Sequence, residues 1–481
     1  MARDTLKKIR IQKLRRIQKD GVNPYPARSG KTHDIFKVLA DFNTLSAEKT
    51  KVTLTGRVRS LREHGGSTFL HFEDGTGTVQ AYLKQDKLGG KKYKFFLENF
   101  DIGDFVAISG TLFTTKRGEK TVEAEDCRML AKALLPLPEK WHGLKDVEER
   151  FRKRYLDFIM NPEARKIFET RSNIVKALRQ IFDERGFIEV ETPILQSLPG
   201  GALAKPFKTF LNALKMDLYL RIAPELYLKR LLVGGFEKTY EIGRCFRNEG
   251  MDWSHNPDFT MLELYWAYKD RDFLMEFVED FISEVVKKIK NGEEVSLQGQ
   301  SISFGRPWQK ATFRELVKKY CDVDVESAKD AALRKKVKEL KIRVGKEADR
   351  VALLDELYKK MVLQKLIQPT FVLDHPVEMA ILAKAKEDNP KYADRFQLVV
   401  GGIELVNGFS ELNDPLEQRR RFEKSRMAPE RKDEDFLEAL EYGMPPSAGL
   451  GMGIDRLVML LTDAHSVREV IAFPTMKPRA K

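Results

Sequence analysis

The chain has 481 residues, 42% of them hydrophobic and 10% aromatic, enough apolar surface for a sizeable core and too much for a mostly disordered chain. Lysine and arginine number 85 against 72 acidic residues, and the formal charge of +13 points to a polyanionic partner without identifying it. No stretch approaches the roughly 20 apolar residues of a membrane span. The three cysteines, Cys127, Cys245 and Cys321, stand far apart, without the spacing of a disulfide framework or a zinc site.

The first residues are charged where a secretory leader needs an apolar run, so a cytoplasmic location is expected. Leu6, Ile9, Leu14 and Ile17 fall near helical spacing among eight basic side chains in the first 20 residues. This predicts a short amphipathic basic helix, open either to a solvated surface role or to RNA contact. The loop that follows ends in Ser29-Gly-Lys-Thr32. A phosphate-binding P-loop would need a glycine where Tyr25 stands and a strand before it, so that reading is excluded.

From Val52 to Met129 short strands are expected at Val52–Arg59, Thr68–Phe72, Thr78–Leu83, Phe105–Leu112 and Thr121–Met129, with turns at Gly65-Gly66, Asp74-Gly75 and Arg117-Gly118. One helix, Lys92–Asn99, falls between the third and fourth strands. Five strands with one helix there is the layout of an OB barrel, whose second and third strands commonly bind single-stranded nucleic acid. Phe69, His71, Gln80 and Tyr82 lie in those strands and supply stacking rings and an amide.

Leu135-Pro-Leu-Pro138 reads as a hinge. The expected organisation is a basic extension over 1–50, the barrel over 51–134, a linker over 135–150 and a second domain over 151–481. In the second domain a helix is expected at Pro162–Arg185, a strand at Phe187–Val190, a helix at Pro224–Val233, and strands at Thr239–Phe246 and Asp258–Trp266. Residues 271–365 read as a highly charged helical insertion. A hairpin at Arg395–Glu411 turns on Gly401-Gly402, and a strand–helix unit runs from Gly449 to Thr462. Unequal connections without a βαβ rhythm argue for an α+β fold on a mainly antiparallel sheet.

Three segments of this domain carry chemistry. Gly449-Leu-Gly-Met-Gly453 lacks the third glycine of a dinucleotide fingerprint, because Ile454 stands there. Its small residues allow close approach to a flat ligand, with Arg456 at the following helix start. Arg247-Asn-Glu249, then His255-Asn-Pro-Asp-Phe259, can hold a phosphate and a nucleobase together, and period-two alternation puts Phe259, Met261, Glu263 and Tyr265 on one face. Finally, Glu225, Glu263, Glu404 and Glu411 are carboxylates in half-apolar surroundings. They call for a cationic ligand, a divalent ion, or internal partners such as Arg221 and Arg395. Asn407 and Glu411 share a strand face, whereas Glu404 has the opposite parity unless a bulge intervenes.

Together and in this order, the segments resemble the class II lysyl-tRNA synthetases from about Lys51 to the C-terminus. Phe187-Ile-Glu-Val-Glu-Thr-Pro193 is similar to the first class II motif, Phe246–Phe259 to the second and Gly449–Arg456 to the third. Leu137–Lys145, Arg221–Arg230 and Asn407–Glu411 carry the likeness to the lysyl branch. The resemblance implies an N-terminal OB anticodon-binding barrel, a class II catalytic domain with a helical insertion, a homodimer built on the first motif, and no membrane. It implies activation of L-lysine with ATP and Mg2+, then transfer to the 3′ end of tRNA(Lys).

It also implies residue roles. Arg247 and Arg456 would be catalytic. Arg247, Glu249, His255, Asn256, Phe259, Glu404 and Arg456 would bind ATP, with Phe259 and Arg456 on the two faces of adenine. Gly201, Glu225, Arg247, Glu263, Tyr265, Asn407 and Glu411 would bind lysine, its ε-ammonium meeting Glu263, Tyr265 and Glu411. Glu404 and Gln397 would face the metal, and Phe69, Gln80 and Asp126 the anticodon. Three places depart from the pattern: Gln397 stands where the family has a metal-binding glutamate, Gly201 is followed by Ala-Leu-Ala, and Lys208–Lys215 lacks a common histidine and acid. Two other readings remain: a ligase that lysylates a translation factor, disfavoured by the full barrel, and a catalytically silent RNA-binding paralogue, disfavoured by the presence of both arginines.

Overall fold

A computed structural model describes residues 2–138, 146–201, 204–345, 347–424 and 432–479. Most of the lysyl-branch motif at 137–145 and the two residues after Gly201 lie outside the described residues. The chain forms two compact units, Met1–Lys145 and Asp146–Lys481.

In the first unit β1 (Val52–His64), β2 (Ser67–Glu73), β3 (Thr78–Lys84), β4 (Phe105–Thr114) and β5 (Lys120–Ala131) close a barrel in the order β1-β2-β3-β5-β4. Alternation does the sorting: Thr68, Leu70 and Phe72 point inward while Phe69, His71 and Glu73 stay at the surface. β1 runs five residues beyond the expected Arg59, because its hairpin with β2 keeps pairing out to His64 opposite Ser67. The helix Gly90–Asn99 lies between the third and fourth strands and buries Tyr93 and Phe96.

The basic N-terminal helix, Ala2–Lys19, packs on this unit, with Ile17 fully buried. Three of its cations are structural pins. Arg10 donates to the carbonyls of Ile102, Ala133 and Leu135, Lys13 pairs with Asp101 at 2.8 Å, and Arg16 donates to Asn99 and Glu98.

Among the described residues the second unit holds three sheets. β6 (Ile188–Glu189) belongs to the main one, whereas β7 (Leu195–Gln196), β8 (Lys208–Leu211) and β9 (Met216–Leu220) form a small separate sheet. β10 (Lys238–Phe246) and β11 (Asp258–Ala267) return to the main sheet, and β12 (Glu294–Leu297) with β13 (Gln300–Ser303) make a hairpin. β14 (Gln309–Thr312), β15 (Thr370–Leu373), β16 (Arg395–Val400), β17 (Ile403–Ser410) and β18 (Ser447–Gly453) complete eight strands in the order β14-β15-β16-β17-β18-β11-β10-β6. All neighbours are antiparallel except β14–β15 and β10–β6.

The region 271–365 is not a purely helical insertion. Its first helix, Arg271–Lys290, belongs to the central core through Leu274, Phe277, Val278, Phe281, Ile282 and Val285, and β12 to β14 follow it. The high charge of the stretch masks this apolar stripe. That helix, Pro162–Glu184 and Ile454–Leu461 cluster with Leu262, Leu264, Leu398, Leu450 and Met452 of the main sheet. The alternate residues of the same strands face the other way, where the cavity lies.

Candidate active site

The floor of the cavity follows from register. Met261, Glu263 and Tyr265 on β11 stand opposite Gly453, Gly451 and Gly449 on β18, and Asn407 and Phe409 on β17 flank the last two glycines from the other side. Over these three glycines the central strand therefore presents no side chain on this face, and the ligand-facing groups come from its neighbours. A Cβ at Gly449 would collide with both the Tyr265 ring and the Glu411 carboxylate. The resulting cavity, of about 390 Å³, is lined among others by Gly201, Glu225, Arg247, Phe259, Glu404 and Arg456.

Glu404 reaches this face through a bulge. Val406 pairs with Leu398 and Glu404 with the adjacent Val399, so Leu405 is the extra residue that reverses parity. Arg395 and Arg221, expected as partners for the carboxylates, are used otherwise: Arg395 donates to Asn407 Oδ1 at 2.7 Å, and Arg221 pairs with Glu241.

The partner that sequence reasoning missed is Lys229. Fully buried, it lies 2.7 Å from Glu225 and 2.5 Å from Glu411. Burial lowers the pKa of its ammonium, but the two carboxylates outweigh burial and hold it above its usual value. Its position four residues after Glu225 on the helix Glu225–Val233 is the signal that could have found it. Glu411 thus sits behind the cavity surface, with burial pushing its carboxyl up and Lys229 pulling it back.

Glu263 is different. It is buried, it lines the cavity, and among the described residues its side-chain partner is the Tyr265 hydroxyl, which donates at 3.0 Å. Burial and the nearby Glu225 raise the Glu263 carboxyl well above the usual range. A buried carboxylate without a cation, at the base of a cavity, is a site built to receive one.

At the other end, the Arg247 guanidinium lies over the Phe259 ring, 5.1 Å from its centroid, and donates a long hydrogen bond to the Ile222 carbonyl. Arg456 donates to the Glu404 carbonyl at 2.8 Å and to His255 Nε2 at 3.1 Å. A guanidinium can only donate, so His255 Nε2 accepts and Nδ1 carries the proton, facing Asp252 at 2.8 Å. Asp455 anchors the start of the Arg456 helix by pairing with Arg171 at 2.5 Å and accepting the Thr260 amide. Asn256 donates to Asp258, and its own buried amide oxygen has no partner among the described residues. Glu249 lines the rim and accepts from the Lys205 amide.

Gln397 is not brought to the cavity surface. It shares β16 with Arg395, but its amide oxygen accepts from the buried His375 Nε2 at 3.2 Å. Burial and the Arg395 charge hold His375 well below its usual pKa, so the ring is neutral and can donate from Nε2.

On the barrel, Phe69 stacks on Tyr82 with centroids 4.6 Å apart, and Phe113 meets Tyr82 edge-on. Gln80 is nearly buried. It donates to Glu119 at 2.7 Å and accepts from Thr121, while Glu119 also takes His71 Nε2 at 2.7 Å. Asp126 is not part of that cluster. It lies past the last β5 residue paired with β3, beyond a bulge, and pairs with Lys92 at 2.9 Å. Glu119, which precedes the expected fifth strand, is the acid that the fold puts beside Gln80.

The chain matches two family descriptions: the class II tRNA synthetases (D, K and N) over residues 146–477, and the OB-fold nucleic acid binding domain over residues 52–130. It is similar over nearly its whole length to proteins named lysine–tRNA ligase. That of Pelotomaculum thermopropionicum is 48% identical, covering 98% of this chain and 95% of the relative. That of Carboxydothermus hydrogenoformans is 48% identical, covering 98% of each. That of Roseiflexus castenholzii is 46% identical over the full length of both.

Proposed function

The chain belongs to the class II tRNA synthetases of the D, K and N group and acts as an ATP-dependent lysine–tRNA ligase, and from that premise we propose how its residues divide the work. The observation that carries the reading is Glu263. It is a buried carboxylate on the cavity floor whose neighbour Glu411 is neutralised from behind by Lys229.

The lysine ε-ammonium binds between Glu263 and the Tyr265 hydroxyl, close to the Lys229-paired Glu411 carboxylate that lies over Gly449. Its three donors match oxygen acceptors, and a neutral isostere would leave Glu263 without that ion pair, costing roughly 3–5 kcal/mol, a discrimination of about 10²–10⁴. Glu225 and the Gly201 backbone hold the α-ammonium. Asn407, fixed by Arg395, lies near the carboxylate. Adenine stacks on Phe259, with Arg456 on its other face. Arg247 then leaves the ring for the α-phosphate, and the unpartnered Asn256 oxygen accepts a ligand N–H.

The lysine carboxylate is already ionised, so its in-line attack on the α-phosphate needs no protein base. Arg247 and Arg456 supply positioning and charge neutralisation, and pyrophosphate leaves. The 3′-terminal ribose hydroxyl of tRNA(Lys) takes the lysyl group in the second step.

For magnesium, the described residues offer no cluster of three or more carboxylate, histidine or cysteine side chains. Glu404 is the carboxylate on that wall and Gln397 is turned to His375, so the fit is to an ion held by Glu404 together with substrate oxygens, the common manner of magnesium binding. Bound there, it would neutralise phosphate charge.

On the barrel, Phe69 offers the stacking ring for an anticodon base, and the Gln80–Glu119 pair, rather than Asp126, offers the hydrogen-bonding edge. Homodimerisation is read from the second unit, where Ile188, Ile194, Leu195, Phe210 and Leu214 are large apolar side chains exposed around the first motif and the edge strand β6. No helix among the described residues is long and apolar enough to cross a membrane, and the expected location is the cytoplasm.

The reading is tested with Arg247→Ala. Lysine-dependent ATP–pyrophosphate exchange should fall by more than about a hundredfold while the thermal transition stays in place. Near-normal exchange would remove Arg247 from the reaction.

A further inference from the structure

We propose that Lys359 is a further ATP-binding residue, contacting the β- and γ-phosphates that leave as pyrophosphate; the proposal rests on the ATP reading of the cavity. Its position comes from a change of helical pitch. The helix Arg350–Leu357 runs directly into a π-turn, Tyr358–Val362, and wider turns of this kind recur at functional sites. There Tyr358 is buried, with its hydroxyl unpartnered among the described residues, while Lys359 emerges on the cavity wall.

Charge supports the assignment. Among the described residues that line the cavity, the lysine and arginine side chains are Arg247, Arg456 and Lys359. Arg247 stands at the Phe259 end, and Arg456 is tied to Glu404 through the Glu404 carbonyl. Lys359 lies within the electrostatic reach of Glu404. A triphosphate that runs from Arg247 toward Glu404 therefore meets Lys359 at its far end. A lysine on this wall would share the neutralisation of phosphate charge with a metal ion held by Glu404.

Lys359 has a weak partner to give up. Its ion pair with Asp355, at 2.7 Å, is half-exposed, with 52% of the lysine side chain accessible. Pairs this exposed contribute little, and exchange of one carboxylate for phosphate oxygens is favourable.

Calorimetric titration of ATP and AMP, with and without magnesium, separates the possibilities. AMP lacks the phosphates at issue and serves as the internal control. Lys359→Met should weaken ATP binding about tenfold, more in the absence of magnesium than in its presence, and leave AMP binding unchanged. Lys359→Arg should keep most of the ATP affinity. Unchanged ATP affinity in Lys359→Met, or equal losses for ATP and AMP, would overturn the proposal while leaving the ATP site intact. Failure of the unaltered protein to bind either nucleotide would overturn the ATP reading and this proposal together.

Discussion

The ammonium of Lys229 lies 2.5 Å from the Glu411 carboxylate, and neither side chain is accessible to solvent. That pair decides the charge at the base of the cavity. Three acidic residues, Glu225, Glu263 and Glu411, crowd the floor around Tyr265, and Lys229 meets two of them from behind. Glu263 remains, with the Tyr265 hydroxyl as its partner among the described residues, and in the proposed reading the substrate supplies its cation.

Replacing Lys229 by methionine should therefore be costly even though Lys229 does not line the cavity. It strands two buried carboxylates, a loss of about 3–5 kcal/mol. Denaturant unfolding followed at neutral pH should show it. Adding Glu411→Gln should recover part of the loss, because it removes one of the stranded charges. A double variant no more stable than Lys229→Met would mean that the pair is not coupled.

Glu263 predicts a pH dependence. Its folded carboxyl is raised by burial and by Glu225, so the free protein binds a proton there that an unfolded chain has already lost. The associated stability is fully present below the unfolded value of roughly 4.3 and fades as pH rises through the raised folded value. Lysine needs the carboxylate, so its binding should expel that proton, and its affinity should improve with rising pH across the same window. Calorimetry in buffers of different ionisation enthalpy reads the proton directly. Glu263→Gln should abolish the release and raise the KM for lysine by about 10²–10³. Lysine binding with no linked proton would contradict the raised carboxyl.

On the barrel, Phe69→Ala should weaken tRNA charging about tenfold, in line with about 1–3 kcal/mol for a stacked base. Glu119→Gln should act in the same direction, and Asp126→Asn should have little effect. Lysine-dependent pyrophosphate exchange without tRNA should be unchanged in all three. Matching losses in charging and exchange would rule out an anticodon role.

Much of this was legible in the sequence because it depends on period and spacing. Alternation placed Phe259, Met261, Glu263 and Tyr265 on one face, and the glycine run at 449–453 marked the strand that the cavity lies over. The parity of Glu404 could be posed as a question, but only pairing across strands shows the Leu405 bulge. The core helix Arg271–Lys290 was hidden by the charge on its outer face. That Glu119, and not Asp126, lies beside Gln80 was hidden for a similar reason: neighbours across a barrel depend on register, which a single strand does not reveal. Lys229 was readable as an i,i+4 partner of Glu225, but its contact with Glu411 spans the fold.

The most direct test is ATP–pyrophosphate exchange with magnesium and each of the twenty amino acids in turn, without tRNA. The Glu263 pocket predicts exchange with lysine and with no other, and with Gln397 left as it is. Folded protein that exchanges with none of them, or with a neutral amino acid as readily as with lysine, would contradict it.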